Sequence, residues 1–522
     1  MSGRLQRTTS ALAISRIGEI QGNKAGCAVA ILQCVIGLAV VITALPVLAF
    51  DLAAPFTDPH CCWGNLLPFR GDPAAPFIDP LHTLPKVIES GVVLPGDGKP
   101  VSCPVSKDFS TPLALAEAVD LALCNNPQIR AAWASIKVQA GAVGEARAAY
   151  LPTLSGTTSY MRTHTVYPGS PYAGTMTDGQ TIYGTLAWRL FDFGGRDANR
   201  KSANSLLVAA IENHDATLQK TLTGVIQAYF DAQTAKAALQ AKEQSEAIAR
   251  STLETAQRRE IHGAVSRSDT LQAATALAKA SLEKNRATGD YQKALSVLVY
   301  ALGVPMRTHI LLPDDLSDKG ALESKNLDDL LKIAAETHPA ILSARAQWES
   351  SKQKITATRS DGLPTVDFSA SYYQNGYPGQ GMAQNHTQIT SIGVALTVPF
   401  FDGFTHTYKI RGAEAQAEQS EAVLQDTEHN TLMEVVKAHA DATSSLQNLQ
   451  ASENLLTSAQ ESLNVSQRKY DKGAADILEI LNTQAALADA QQERIRSLAE
   501  WRSARLRLLA SVGLMGRDAV AP

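Results

Sequence analysis

The chain has 522 residues, of which 19% are charged, and a formal net charge of −4. That balance, with no basic block and no basic face with interleaved aromatics, excludes a nucleic-acid partner. No Gly-rich phosphate loop, HExxH pair or nucleophile elbow occurs and the 11 histidines are scattered, so the sequence offers neither a catalytic centre nor a cofactor site.

Arg4, Arg7, Arg16 and Lys24 precede an uncharged stretch from Ala25 to Phe50. Pro46 and the Val47-Leu48-Ala49 end predict a signal peptide over 1–49, although the stretch is also long enough for an uncleaved membrane anchor. Either reading means export. Cys34 follows Gln33, a poor fit before a lipidated cysteine. Cys61, Cys62, Cys103 and Cys124 remain, and in an oxidising compartment a Cys103–Cys124 bridge is expected among the three full pairings that four cysteines allow. Residues 50–112, rich in Pro, Gly and Asp, read as an extended surface segment.

From Leu113 onward the chain says nearly the same thing twice, about 210 residues apart. Asn126-Pro127 and Leu151-Pro152 match His338-Pro339 and Leu363-Pro364; Gly263 matches Gly473, and Leu302-Gly303 matches Val512-Gly513. The first copy covers 113–312 and the second 325–513, with a linker at 313–324 and a tail at 514–522. Each opens with helical periodicity, then changes to a period of two. Ile182, Gly184, Leu186 and Trp188 alternate with Tyr183, Thr185 and Ala187; Val366, Phe368 and Ala370 alternate with Asp367, Ser369 and Ser371. Strands are predicted over 151–166 and 180–193, and over 364–377 and 388–401, as two hairpins. Asp192-Phe193-Gly194-Gly195 and Asp402-Gly403-Phe404 then turn the chain into the longest helical runs. Leu218, Leu222, Val225, Tyr229 and Ala232 recur at steps of three and four, with Leu432, Val435, Ala442, Leu449 and Leu463 in the second copy, a coiled-coil spacing.

The strands are apolar and aromatic on one face and small and polar on the other, as in a barrel between lipid and water. A barrel in lipid must close, because an open edge leaves backbone groups unpaired in hydrocarbon. Four strands cannot close one alone, so several chains must share it. The spacing does not choose three chains over two or four. The expected fold is therefore an α+β membrane protein of duplicated strand-hairpin and long-helix units.

Leu151-Pro152-Thr153 and Leu363-Pro364-Thr365, the Asp192-Phe193-Gly194-Gly195 turn, and Tyr470-Asp471-Lys472-Gly473 with Asp476-Ile477-Leu478 resemble the TolC family of outer-membrane exit ducts. Leu123-Cys124-Asn125-Asn126-Pro127 and the lack of a lipobox look most similar to its CyaE-like members of type I protein secretion. The resemblance implies a homotrimer with a shared 12-stranded barrel in outer-membrane lipid and a coiled-coil helical barrel in the periplasm. It also implies a passive duct for type I secretion or for drug or metal efflux. Its partners would be a periplasmic adaptor and an inner-membrane ABC or RND transporter. The tube's closed tip would lie at the turns Gly263 and Gly473, with Asp269 and Glu479 facing the pore, Asn482 where the family often has a further acid, and Tyr470 in a hydrogen-bond network. The basic partner expected two residues after Gly473 is Ala475 here. The bland alternative makes Asp269 and Glu479 solvated helix-surface acids. A different class, a periplasmic coiled-coil adaptor or scaffold anchored to the inner membrane, would account for the long hairpins but not for the amphipathic strands.

Overall fold

The computed structural model describes residues 81, 83, 109, 111–169, 174–313, 326–375, 387–513 and 515, all within the unit Leu81–Pro522. The leader, its cysteines and the extended segment around Cys103 lie outside the described residues.

The first copy runs α1 (Leu115–Asn125), α2 (Pro127–Ala148), β1 (Thr153–Thr165), β2 (Thr175–Phe191), α3 (Gly195–Ile261) and α4 (Arg267–Leu302). The second repeats it as α5 (Leu327–Thr337), α6 (Pro339–Ser360), β3 (Thr365–Asn375), β4 (Thr387–Thr397), α7 (Thr405–Asp471) and α8 (Ile477–Ser511). The prolines of the matched Asn-Pro and His-Pro pairs start new helices. Pro127 occupies the first position of α2, where no N–H is needed, and Asn126 Oδ1 accepts from Gln128 N at 2.8 Å. In the second copy His338 Nδ1 accepts from Ala340 N at 3.2 Å ahead of Pro339. Cys124, in the last turn of α1, is disulfide-bonded.

The four strands form one antiparallel sheet in the order β1-β2-β3-β4, so β2 and β3 join the two copies and β1 and β4 are its edges. Most boundaries lie within two residues of the periodicity, and two differ by more. β2 begins at Thr175, ahead of the expected 180, because Thr163–Thr165 of β1 extend the ladder and Tyr160 donates to Asp178 Oδ2 at 2.8 Å. β4 ends at Thr397 rather than 401, since Pro399 has no N–H for the ladder. A bulge between Arg189 and Phe191 aligns Phe191 with Val366, shifting that ring to the opposite face from Arg189.

Each long helix has 67 residues, about 100 Å at 1.5 Å per residue. The heptad residues do the expected work: Leu218, Leu222, Val225, Tyr229 and Ala232 are buried in a core with Leu113, Val119, Leu123, Leu298, Leu302 and Leu506. That core draws on α1, α3, α4 and α8 and so ties the copies together, each buried leucine contributing about 2 kcal/mol. Along α7 the stripe is thinner. Val435, Ala438 and Ala442 pack with Leu330 and Leu508, and lower down Ala459 and Leu463 pack with Leu487 and Ala490. Val423 (50% exposed), Leu455 (49%) and Val465 (43%) of α7 are left uncovered.

Candidate functional site

The sheet carries one face of each chemistry, fixed by register. Leu154, Leu186, Trp188, Val366, Phe368, Ala370, Ile392, Val394 and Leu396 share one side across the ladders, and the aromatic pair Phe191–Phe193 closes its helix-facing end. The other side is a field of hydroxyls: Thr153, Ser155, Thr157 and Ser159 on β1, Thr181 and Thr185 on β2, Ser369 and Ser371 on β3, Ser391 and Thr397 on β4. No helix among the described residues is long and apolar enough to cross a membrane. The exposed apolar surface suited to lipid belongs to the strands.

At the far end of the long helices, both hairpins turn through the same backbone. Gly263 (φ 73°) and Gly473 (φ 75°) take the left-handed conformation that glycine adopts without cost. Gly263 N donates to Glu260 O at 2.9 Å and Ala264 N to Arg259 O at 2.8 Å; Gly473 N to Tyr470 O and Ala474 N to Lys469 O repeat those distances.

The predicted acids then part ways. Asp269 sits in a capping box: its N–H donates to Ser266 Oγ at 3.3 Å while its Oδ2 accepts from Ser266 N at 3.1 Å. In the second copy the capping residue is Asp476, whose Oδ1 accepts from Glu479 N at 2.9 Å. Glu479 is thereby released from the box. Its carboxylate crosses to α7, accepting from Ser466 Oγ at 3.0 Å and Lys469 Nζ at 3.4 Å. Both acids are half-buried within one chain, and Asn482 lies exposed on α8.

Tyr470 is 3% exposed, packed among Ile477 and Ile480, and its buried hydroxyl has no hydrogen-bond partner among the described residues. The basic group that meets it is Arg259, from the first copy. Its guanidinium lies 4.2 Å from the ring centroid, donates to Tyr470 O at 2.9 Å and Asp471 O at 3.4 Å, and stands 3.8 Å from the Asp471 carboxylate. Arg259 thus caps the end of α7 from a neighbouring hairpin, a role favoured by the negative end of the helix. Gln484 Nε2, donating to Thr252 Oγ1 at 2.8 Å, links α8 to α3 as well. Sequence reasoning looked for the basic partner at position 475. The available signal was Arg258-Arg259 in the last turn of α3, which periodicity assigns only to a solvated helix end.

Comparison with known proteins places the fold. The family model described as outer membrane efflux protein matches residues 118–304 and 330–514, one match per copy. Protein CyaE of Bordetella pertussis is 34% identical over 420 residues, covering 80% of this chain and 88% of that protein. The alkaline protease secretion protein AprF of Pseudomonas aeruginosa is 26% identical, covering 77% and 85% respectively. Among solved structures, the outer membrane protein VceC of Vibrio cholerae aligns with a TM-score of 0.66 at 19% identity, covering 76% of this chain and 96% of that one. The CmeC outer membrane channel of Campylobacter jejuni gives 0.68 at 15%, covering 80% and 92%. Sheet, hairpins and duplication are those of an outer-membrane channel. The chain belongs to the outer membrane efflux protein family, of the TolC type, and is an outer-membrane protein.

Proposed function

We propose that the protein is a homotrimeric, non-enzymatic exit duct serving type I protein secretion, with three sheets closing a 12-stranded barrel and the helices continuing it as a tube through the periplasm. The observation that carries this reading is the four-stranded sheet with apolar and hydroxyl faces and two open edges. Edges unpaired in hydrocarbon are untenable, and a second and third copy supply their partners. The uncovered apolar residues of α7 favour the same copies. The apolar face then meets lipid and the hydroxyl face lines the lumen.

Secretion is preferred over drug or metal efflux on the likeness to CyaE and to a protein named for protease secretion. The duct has no phosphate-binding loop, so energy comes from an inner-membrane ABC transporter with a periplasmic adaptor docking at the hairpin tips. An RND-driven efflux role is the second reading, favoured by the names of more distant relatives such as the toluene efflux pump outer membrane protein TtgI of Pseudomonas putida, 24% identical. At the tips, the Gly263 and Gly473 turns, Asp269, Glu479 and Tyr470 form the gate, and Cys103 pairs with Cys124.

Fractionation tests this reading. A heat-sensitive oligomer in the outer membrane is expected, together with loss of one exported polypeptide when the gene is deleted. An unchanged secretome with new sensitivity to apolar toxicants moves the assignment to efflux.

A further inference from the structure

The hydroxyl face of the sheet carries charge at one level only. On the described strands its charged residues are Arg189 of β2 and Asp367 of β3, directly opposite each other in register. Arg189 Nε donates to Asp367 Oδ1 at 2.9 Å, and Thr365 Oγ1 donates to Oδ2 at 3.2 Å. The pair sits at the helix-facing end of the sheet, just before the bulge and the Phe191–Phe193 pair. It also spans the ladder that joins the two copies.

The next cation along the chain, Arg196, acts on this carboxylate only through space and bonds a different one. Arg196 is held by Asp192 Oδ2 at 3.0 Å and donates to Arg189 O at 2.7 Å and Leu190 O at 3.2 Å, with its guanidinium 4.9 Å from the Tyr150 ring centroid. In the second copy its counterpart is His406, whose backbone N–H meets Asp402 Oδ2 at 2.6 Å. The balance of charge on the hydroxyl face therefore rests on Arg189 and Asp367 alone among the described strand residues.

We propose that the Arg189–Asp367 pair is a selectivity-determining element that holds the periplasmic mouth of the barrel neutral, so that discrimination by charge is left to the helical tip. This rests on the duct reading, in which the hydroxyl face lines the lumen. A mouth lined by hydroxyls and self-neutralised ion pairs offers hydrogen bonds to a passing polypeptide without trapping segments of either sign. Had either partner been alone, threefold copies would form a fixed ring of charge where the tube enters the membrane.

Planar-bilayer reversal potentials of the full-length protein in a KCl gradient test it. Arg189→Gln should raise the cation-to-anion permeability ratio about tenfold, since one unit charge roughly 6 Å away in water favours a cation about threefold and disfavours an anion by about the same factor. Asp367→Asn should lower it by a similar factor. The exchange Arg189→Asp with Asp367→Arg should restore the wild-type ratio. A merely structural cross-strand pair predicts assembly defects in the single variants but no shifts of opposite sign. Unchanged ratios, or shifts of the same sign, overturn the proposal while leaving the duct intact. If the wild-type protein forms no conductance at all, the duct reading falls instead, and this proposal with it. Should one single variant fail to assemble, the other and the exchange still decide.

Discussion

The two hairpin tips share a backbone and differ in what their side chains do. Gly263 and Gly473 close the same bonds at the same distances, yet the residue three positions on is Ser266 in one copy and Asp476 in the other. Serine leaves the cap to be completed by Asp269, which is thereby turned inward on its own helix. Aspartate completes the cap's acceptor itself and frees Glu479 to grip Lys469 and Ser466 on α7. The first tip secures itself and sends Arg259 outward; the second is held by that arginine across the copies. A turn's geometry tolerates little change because only glycine takes the conformation easily, whereas one substitution at a cap redirects a carboxylate several ångströms away.

The sharpest way to break this comparison is Arg259→Ala. It removes a stacked guanidinium and two charge-assisted bonds to the end of α7, together on the order of 2–3 kcal/mol at the tip. Single-channel conductance should rise markedly, and Arg259→Lys should recover only part of the closure, since an ammonium cannot reproduce the fork. Wild-type conductance in both variants would separate the tip contacts from gating.

A smaller effect separates the acids. Glu479→Ala should raise conductance and reduce cation selectivity, loosening the second tip by about 1 kcal/mol through loss of a partly exposed pair. Asp269→Ala should change selectivity similarly while loosening mainly the start of α4, read as faster amide exchange there. Selectivity unchanged with both acids replaced would reduce them to solvated helix-surface groups.

The smallest effect concerns the upper ends of the copies, where Asn126 and His338 perform the same cap. Burial holds the His338 imidazole below its usual range, so the neutral, accepting form is favoured in the folded chain. Its stabilisation is fully present above the unfolded pKa near 6.5 and declines as pH falls through that value towards the lower folded one. His338→Asn should remove an acid-dependent loss of about 1 kcal/mol or less, measured as melting temperature between neutral and mildly acidic pH. Equal acid sensitivity in both proteins would place the titration elsewhere.

Much of this was legible in the sequence because it is periodic or local. Strand alternation, the heptad stripe through Leu218 and Tyr229, and the glycine turns each depend on neighbours a few residues away. The start of β2 was hidden because Thr175 to Asp178 lie ahead of the expected strand and are fixed in it only by pairing with β1. The bulge at Arg189 and the grip of Arg259 on Tyr470 are contacts between copies, formed only once the hairpins pack. Neither sequence neighbourhood alone identifies the partner.

Stoichiometry tests the account most directly, because every step from open sheet edges to a lumen depends on copies completing one another. Native mass measurement of the detergent-extracted outer-membrane protein should give three chains per particle, converting to single chains on heating. A monomer that still conducts, or a particle of two or four chains, would contradict the 12-stranded barrel on which the account stands.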